Sequence, residues 1–310
     1  MKTSNPIKNS LLLAMALTLA GLTFNARAVF DKRFDICTFC CPCSTTNHMC
    51  QSQFDALNWA TNASRPNGHM VMMGSDAHRS DLNGNGNFLG AYYNTLNDNY
   101  GSWTATQKAD DIENNYIIAN FTSSGVKPTW VSLNEISTGL WPSDATYRAW
   151  VIAICTRLKN TYGHSVIIFS PFPNPANNTN DWQSLAGVAY IAVEKYLDGK
   201  SINGSGNSVS WCQSQYQSTY DSYVTTVGIS SAKLYLTEHF AQSVSTQSPA
   251  FGREGVSYAG WDNAINARSD AAHNIGFAGF CSFGWSGNSM GVSDTDLIHF
   301  ENTYTAKTLP

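Results

Sequence analysis

Two carboxylates follow apolar strands in this chain: Glu135 in WVSLNEIS (130–137) and Glu238 in KLYLTEH (233–239). Charged residues make up only 13% of the sequence, against about 25% in an average globular protein. An acid placed directly after an apolar run therefore either caps the next helix or does chemistry. Two carboxyls that meet across a cleft can divide that chemistry, one donating a proton while the other acts as base or nucleophile. Other polar residues stand at strand ends as well. They are Asn134 beside Glu135, Glu194 and Tyr196 in AYIAVEKYL, His239 beside Glu238, and Asp76, His78 and Arg79 in SDAHRS.

Such residues work only if the chain brings their strands together, and the hydrophobic periodicity says how. From Trp103 onward helix and strand patterns alternate. Helices are expected over 104–123, 143–162 with Ser143 as cap, from about Asp181, and over 210–227 and 258–274. Strands are expected over 127–133, 166–170, near Glu194, over 233–236 and over 277–283. Upstream, 51–61 reads as a helix and 34–38 and 69–74 as strands, with FLGAYYNTL as the candidate third strand. Strands recurring about every thirty residues between helices argue for a parallel sheet. A series this long with a strand at each end predicts one closed (β/α)8 TIM barrel, whose active site lies at the carboxyl ends of its strands. Glu135 would then follow strand four and Glu238 strand seven, roughly 100 residues and three βα units later.

At these residues the chain resembles a clan. Asn134-Glu135 after a fourth strand, Glu238 after a seventh and Trp285 after the eighth are similar to the retaining TIM-barrel glycoside hydrolases, which include cellulases, xylanases, mannanases and β-galactosidases. The resemblance implies cleavage of a β-linked poly- or oligosaccharide, with Glu135 as acid/base and Glu238 as nucleophile. Hydrolysis with retention needs two such carboxyls about 5 to 5.5 Å apart. It also implies that Asn134 donates to the sugar 2-hydroxyl, that Trp285 is a stacking platform and that Arg79 lies near the nucleophile. Tyr196 or Glu194 would hydrogen-bond the nucleophile or the sugar, and Asp76, His78 and His239 would complete the substrate-binding set. No cofactor and no metal are implied. Two other readings remain open: a non-catalytic carbohydrate-binding or surface protein on the same barrel, and a metal-dependent hydrolase using His78, His239 and carboxylates.

The rest of the sequence sets limits. Lys2 and Lys8, an uncharged run over 11–24 and Ala26-Arg27-Ala28 have the layout of a secretory signal peptide, so residues 1–28 are expected to be removed and 29–310 to form the barrel. A secreted or periplasmic monomer is expected, with no membrane association once the peptide is cleaved. A net charge of −4 offers no footprint for nucleic acid. Five of the eight cysteines crowd into CTFCCPCSTTNHMC (37–50), which in an oxidising compartment reads as a disulfide-rich N-terminal segment. Five is odd, so full pairing requires a bridge to Cys155, Cys212 or Cys281. Cys37 and Cys40 also have a zinc-like spacing. In DLNGNGN, Asp81, Asn83, Asn85 and Gly86 match the first part of a calcium loop, but Tyr92 stands where the closing Glu should be. Trp141, Trp182, Trp211 and Trp261 are candidate subsite aromatics.

Overall fold

The computed structural model describes residues 32–37, 69–73, 88–121, 127–175, 177–239, 256–284 and 299. Eight strands, β1 (Lys32–Cys37), β2 (His69–Met73), β3 (Phe88–Tyr93), β4 (Trp130–Leu133), β5 (Ser165–Ser170), β6 (Tyr190–Glu194), β7 (Leu234–His239) and β8 (Gly279–Gly284), run parallel in sequence order. β8 pairs with β1, which closes the sheet into a barrel. FLGAYY is the third strand, hydrogen-bonded between β2 and β4. A helical layer is described after β3 through β7; the connections after β1, β2 and β8 lie outside the described residues. So do the signal peptide, the helix expected over 51–61, the cysteine cluster and the DLNGNGN loop.

A strand in a closed parallel barrel is buried on both faces, so it reads as an apolar run. SVIIFS in β5 is such a case, with Val166 to Ser170 all buried. Side chains still alternate between two cores. Trp130, Ile167, Phe169, Ala192 and Tyr235 fill the inside of the barrel. Val131, Leu133, Ile168, Val193, Leu234 and Leu236 face outward into the larger core under the helices.

The helices start where polar side chains satisfy their first amides. α1 (Ala105–Asp111) begins with a reciprocal box: Thr104 Oγ1 accepts from the Gln107 N–H at 3.2 Å and Gln107 Oε1 accepts from the Thr104 N–H at 2.9 Å. α2 (Ala145–Asn160) is capped by Asp144, which accepts from the Thr146 and Tyr147 N–H groups at 2.8 and 3.1 Å. Ser143 is not the cap, because it closes a separate short helix, Leu140–Ser143. α3 (Thr179–Val188) and α4 (Val209–Asp221) follow β5 and β6, and α5 (Tyr258–Ile275) follows β7. α5 stops at Gly276, whose φ of 110° and proximity to Tyr220 exclude a larger side chain.

Two expectations change here. Trp141, Trp182 and Trp261 are at most 1% exposed, so they are core rather than subsite walls. Trp141 and Trp182 pack against each other with ring centroids 4.6 Å apart. Cys155 and Cys212 are free thiols, and burial pushes each up to about 12; neither bridges to the N-terminal cluster. Phe169, 2% exposed in the inner core, is a direct probe of barrel packing. Phe169→Ala is expected to cost about 3–5 kcal/mol in urea unfolding, and a loss under about 1 kcal/mol would mean that the interior collapses around the gap.

Candidate active site at the carboxyl ends of the strands

Glu194 is the last residue of β6, in phase with inward-facing Ala192, while Ile191 and Val193 face the helices. Simple alternation therefore turns Glu194 into the barrel mouth. Glu135 arrives by another route. Leu133 and Ile136 both belong to the outer core, although they are three residues apart, so alternation slips by one residue between them. The slip leaves Glu135 free to face the mouth.

The slipped segment is pinned on both sides. The Asn134 N–H donates to Tyr93 O of β3 at 2.8 Å, and the Ile136 N–H donates to Phe169 O of β5 at 3.0 Å. Asn97 Nδ2 donates to the Glu135 carbonyl at 2.9 Å. Tyr147 ties Asn97 in place through its hydroxyl, which also accepts from the Ser137 N–H at 2.9 Å. Four backbone positions from 134 to 137 are thus bonded outside their own strand.

The carboxyl that neighbours Glu135 is Glu194, and each shifts the other's titration. Loss of water raises both carboxyls above their ordinary range. Burial, then the charge of Glu135, push Glu194 up to about 8. Tyr196 hydrogen-bonds Glu194. Its phenol is pushed well above its ordinary value by burial first and then by the neighbouring carboxylates. Tyr92, inward-facing on β3, is raised by burial and then by Glu135 and Glu194. Two carboxyls and two phenols therefore converge at the mouth, where repulsion between the two charges favours keeping one proton on the acids.

Glu238 takes a different position. It is in phase with outward-facing Leu234 and Leu236 and is fully buried. Its two oxygens accept from the Leu197 N–H at 3.2 and 3.0 Å, and Tyr216 of α4 donates its hydroxyl to it. Arg268 of α5 donates to Leu197 O at 2.6 Å. β7 keeps its alternation through Glu238 and turns it toward the helices, whereas the carboxyl that influences Glu135 is Glu194 and not Glu238, the partner expected from the sequence. Asn134 is half-buried beside Glu135. Asp76, His78, Arg79 and Trp285 lie outside the described residues, as does the side chain of His239. Tyr92 is the site residue that sequence reading missed, and its signal was the alternation of FLGAYY. Among the described residues no three His, Cys, Asp or Glu side chains are grouped to hold a metal, and no helix is long and apolar enough to cross a membrane.

No family model matches the chain, and no curated protein matches it. Solved structures do. The endo-β-N-acetylglucosaminidase of Cordyceps militaris aligns over 99% of this chain and 97% of its own, at 14% identity and TM-score 0.50. The spore cortex-lytic enzyme of Bacillus megaterium aligns over 92% and 76%, at 9% identity and TM-score 0.54. A broad-specificity endoglucanase of Clostridium acetobutylicum aligns over 89% and 97%, at 9% identity and TM-score 0.51. The chain has the barrel fold of these enzymes. At such identities the likeness is one of fold, and any function must come from the site itself.

The shared proton has a measurable consequence for stability. The folded chain holds a proton on Glu194 up to about 8, whereas an ordinary glutamate releases it near 4.5. Between those values the native state binds more protons than the unfolded state, so stability falls as pH rises from about 5 to 8, by at most about 1.4 kcal/mol per pH unit. Glu194→Gln is expected to flatten this slope and to be more stable than the parent at pH 8. Urea titrations at several pH values check it, and an unchanged slope would contradict the shared proton.

Proposed function

We propose that this protein is a glycoside hydrolase that cleaves a β-linked oligo- or polysaccharide with retention, using Glu135 and Glu194 as its reacting carboxyls. The observation that carries this reading is the approach of two carboxyls from neighbouring strand ends at the mouth of the barrel, close enough for the charge of Glu135 to raise Glu194. Inverting hydrolysis needs a gap of about 6.5–9.5 Å to admit a water, whereas retaining hydrolysis needs a closer pair. Two carboxyls that shift each other's titration this strongly support the second.

The proton's location suggests the division of labour. Glu194, protonated through neutral pH, donates to the leaving glycosidic oxygen as that bond breaks. Glu135, ionised and more exposed, attacks the anomeric carbon and forms a glycosyl ester. Esterification removes the charge that raised Glu194, so Glu194 ionises readily and serves as base. A water gives it a proton and attacks the anomeric carbon, which releases the sugar and restores the Glu135 carboxylate. Asn134, half-buried beside Glu135, would read a neighbouring sugar hydroxyl. The uncharged polar surface suits a neutral sugar, and the leader pattern of residues 1–28 supports export.

Glu135→Gln and Glu194→Gln are each expected to lose at least about 100-fold in kcat on a β-glycan while keeping the parent's circular dichroism. The alkaline limb of the parent's pH profile is expected near 8. Alanine variants with azide and an activated aryl β-glycoside separate the roles. Glu194→Ala should yield the glycosyl azide of retained configuration and Glu135→Ala the inverted one. Full activity of both glutamine variants would refute the pair, and swapped azide products would reverse the roles.

A further inference from the structure

Among the buried ionisable groups that the mechanism leaves unused is Glu238, near the carboxyl end of β7. Glu238 is fully enclosed with Arg268, itself 0% exposed, and with Tyr216. Tyr216 braces Glu238 from behind, and Glu238 and Arg268 meet at Leu197, whose two peptide groups are both held by side chains. Its N–H donates to Glu238 at 3.0 and 3.2 Å, and its carbonyl accepts from Arg268 at 2.6 Å. Two residues earlier, the Lys195 N–H donates to Thr237 O at 3.1 Å and extends the β6–β7 ladder past the end of β6. Tyr196 lies between these fixed points, and its hydroxyl bonds Glu194.

We infer that Glu238 is a positioning residue: with Arg268 and Tyr216 it clamps Leu197 and so fixes the Tyr196 hydroxyl against the Glu194 carboxyl. This rests on the reading of Glu135 and Glu194 as the reacting pair. The physical case is the cost of the arrangement. A carboxylate and a guanidinium buried away from water carry a penalty of several kcal/mol each unless their hydrogen bonds are good. A helical layer could be filled more cheaply by apolar side chains. The two groups are spent on one peptide of a loop that would otherwise be free to move, directly behind the reacting acid. The geometry is rigid on three sides: β7 supplies Glu238, α4 supplies Tyr216 and α5 supplies Arg268.

The clamp is also expected to tune chemistry. The Tyr196 hydrogen bond holds Glu194 below the value that burial alone would set, so a loosened Tyr196 lets the Glu194 carboxyl keep its proton to higher pH. A role confined to stability would lower the melting temperature and leave the pH profile alone.

The test uses the full chain. Glu238→Gln is expected to lower kcat about 10- to 100-fold and to move the alkaline limb of the kcat profile upward in pH. Tyr196→Phe should move it in the same direction, and the double variant should move it no further than either single one. Tyr216→Phe, which removes one donor and no charge, should give a smaller shift and serves if Glu238→Gln does not fold. An unmoved limb in folded Glu238→Gln, or in Tyr216→Phe where that variant substitutes for it, overturns the inference. So does an inverted glycosyl azide from Glu238→Ala, since that product would make Glu238 the nucleophile. Loss of the reading beneath would look different: Glu135→Gln and Glu194→Gln would stay active whatever Glu238 does.

Discussion

Strict alternation of side chains in a closed parallel barrel is the constraint on which this molecule depends. Each strand residue must enter either the narrow interior or the layer under the helices, and neighbours must choose oppositely. Ile191, Ala192, Val193 and Glu194 obey this rule, and it delivers a carboxyl to the mouth. Leu234, Tyr235, Leu236, Thr237 and Glu238 obey it equally, and it delivers a carboxyl to the helices. Glu135 reaches the mouth only because the rule is broken between Leu133 and Ile136. The break is held by bonds to β3, to β5 and to Asn97.

Bringing two carboxyls together opposes folding unless one proton stays behind. That opposition favours one protonated and one ionised acid, the combination on which the proposed glycoside cleavage relies. The surroundings keep the pair from relaxing apart. The backbone at 134–137 is bonded across to neighbouring elements on one side and the Leu197 backbone is held by Glu238 and Arg268 on the other, which limits movement of the chain beneath the pair. Pre-set geometry of this kind reduces what must be reorganised during reaction.

The likeness to sugar-cleaving barrels extends over nearly the whole chain at very low identity, as expected when a fold is kept by core volume and pattern and not by particular residues. The reacting groups cannot be transferred along with the fold. Strands four and seven were the expected source of the acids, whereas the described pair comes from strands four and six. Glu238 stands one layer behind, bonded to the Leu197 N–H and to Tyr216.

The sequence by itself determined the parallel barrel, through apolar strands spaced by amphipathic helices, and it located the strand ends to within a few residues. It also singled out Glu135, Glu194, Tyr196 and Glu238 as polar residues at those ends. FLGAYY was legible as the missing third strand because its apolar run was too long for a loop. The cap at Asp144 was misread as Ser143, since a cap depends on which residue leaves the helical path. Which acids meet was decided only by the tertiary structure. A one-residue slip in alternation leaves no mark in composition or periodicity, because it is set by hydrogen bonds to Tyr93, Phe169 and Asn97, residues distant in the chain.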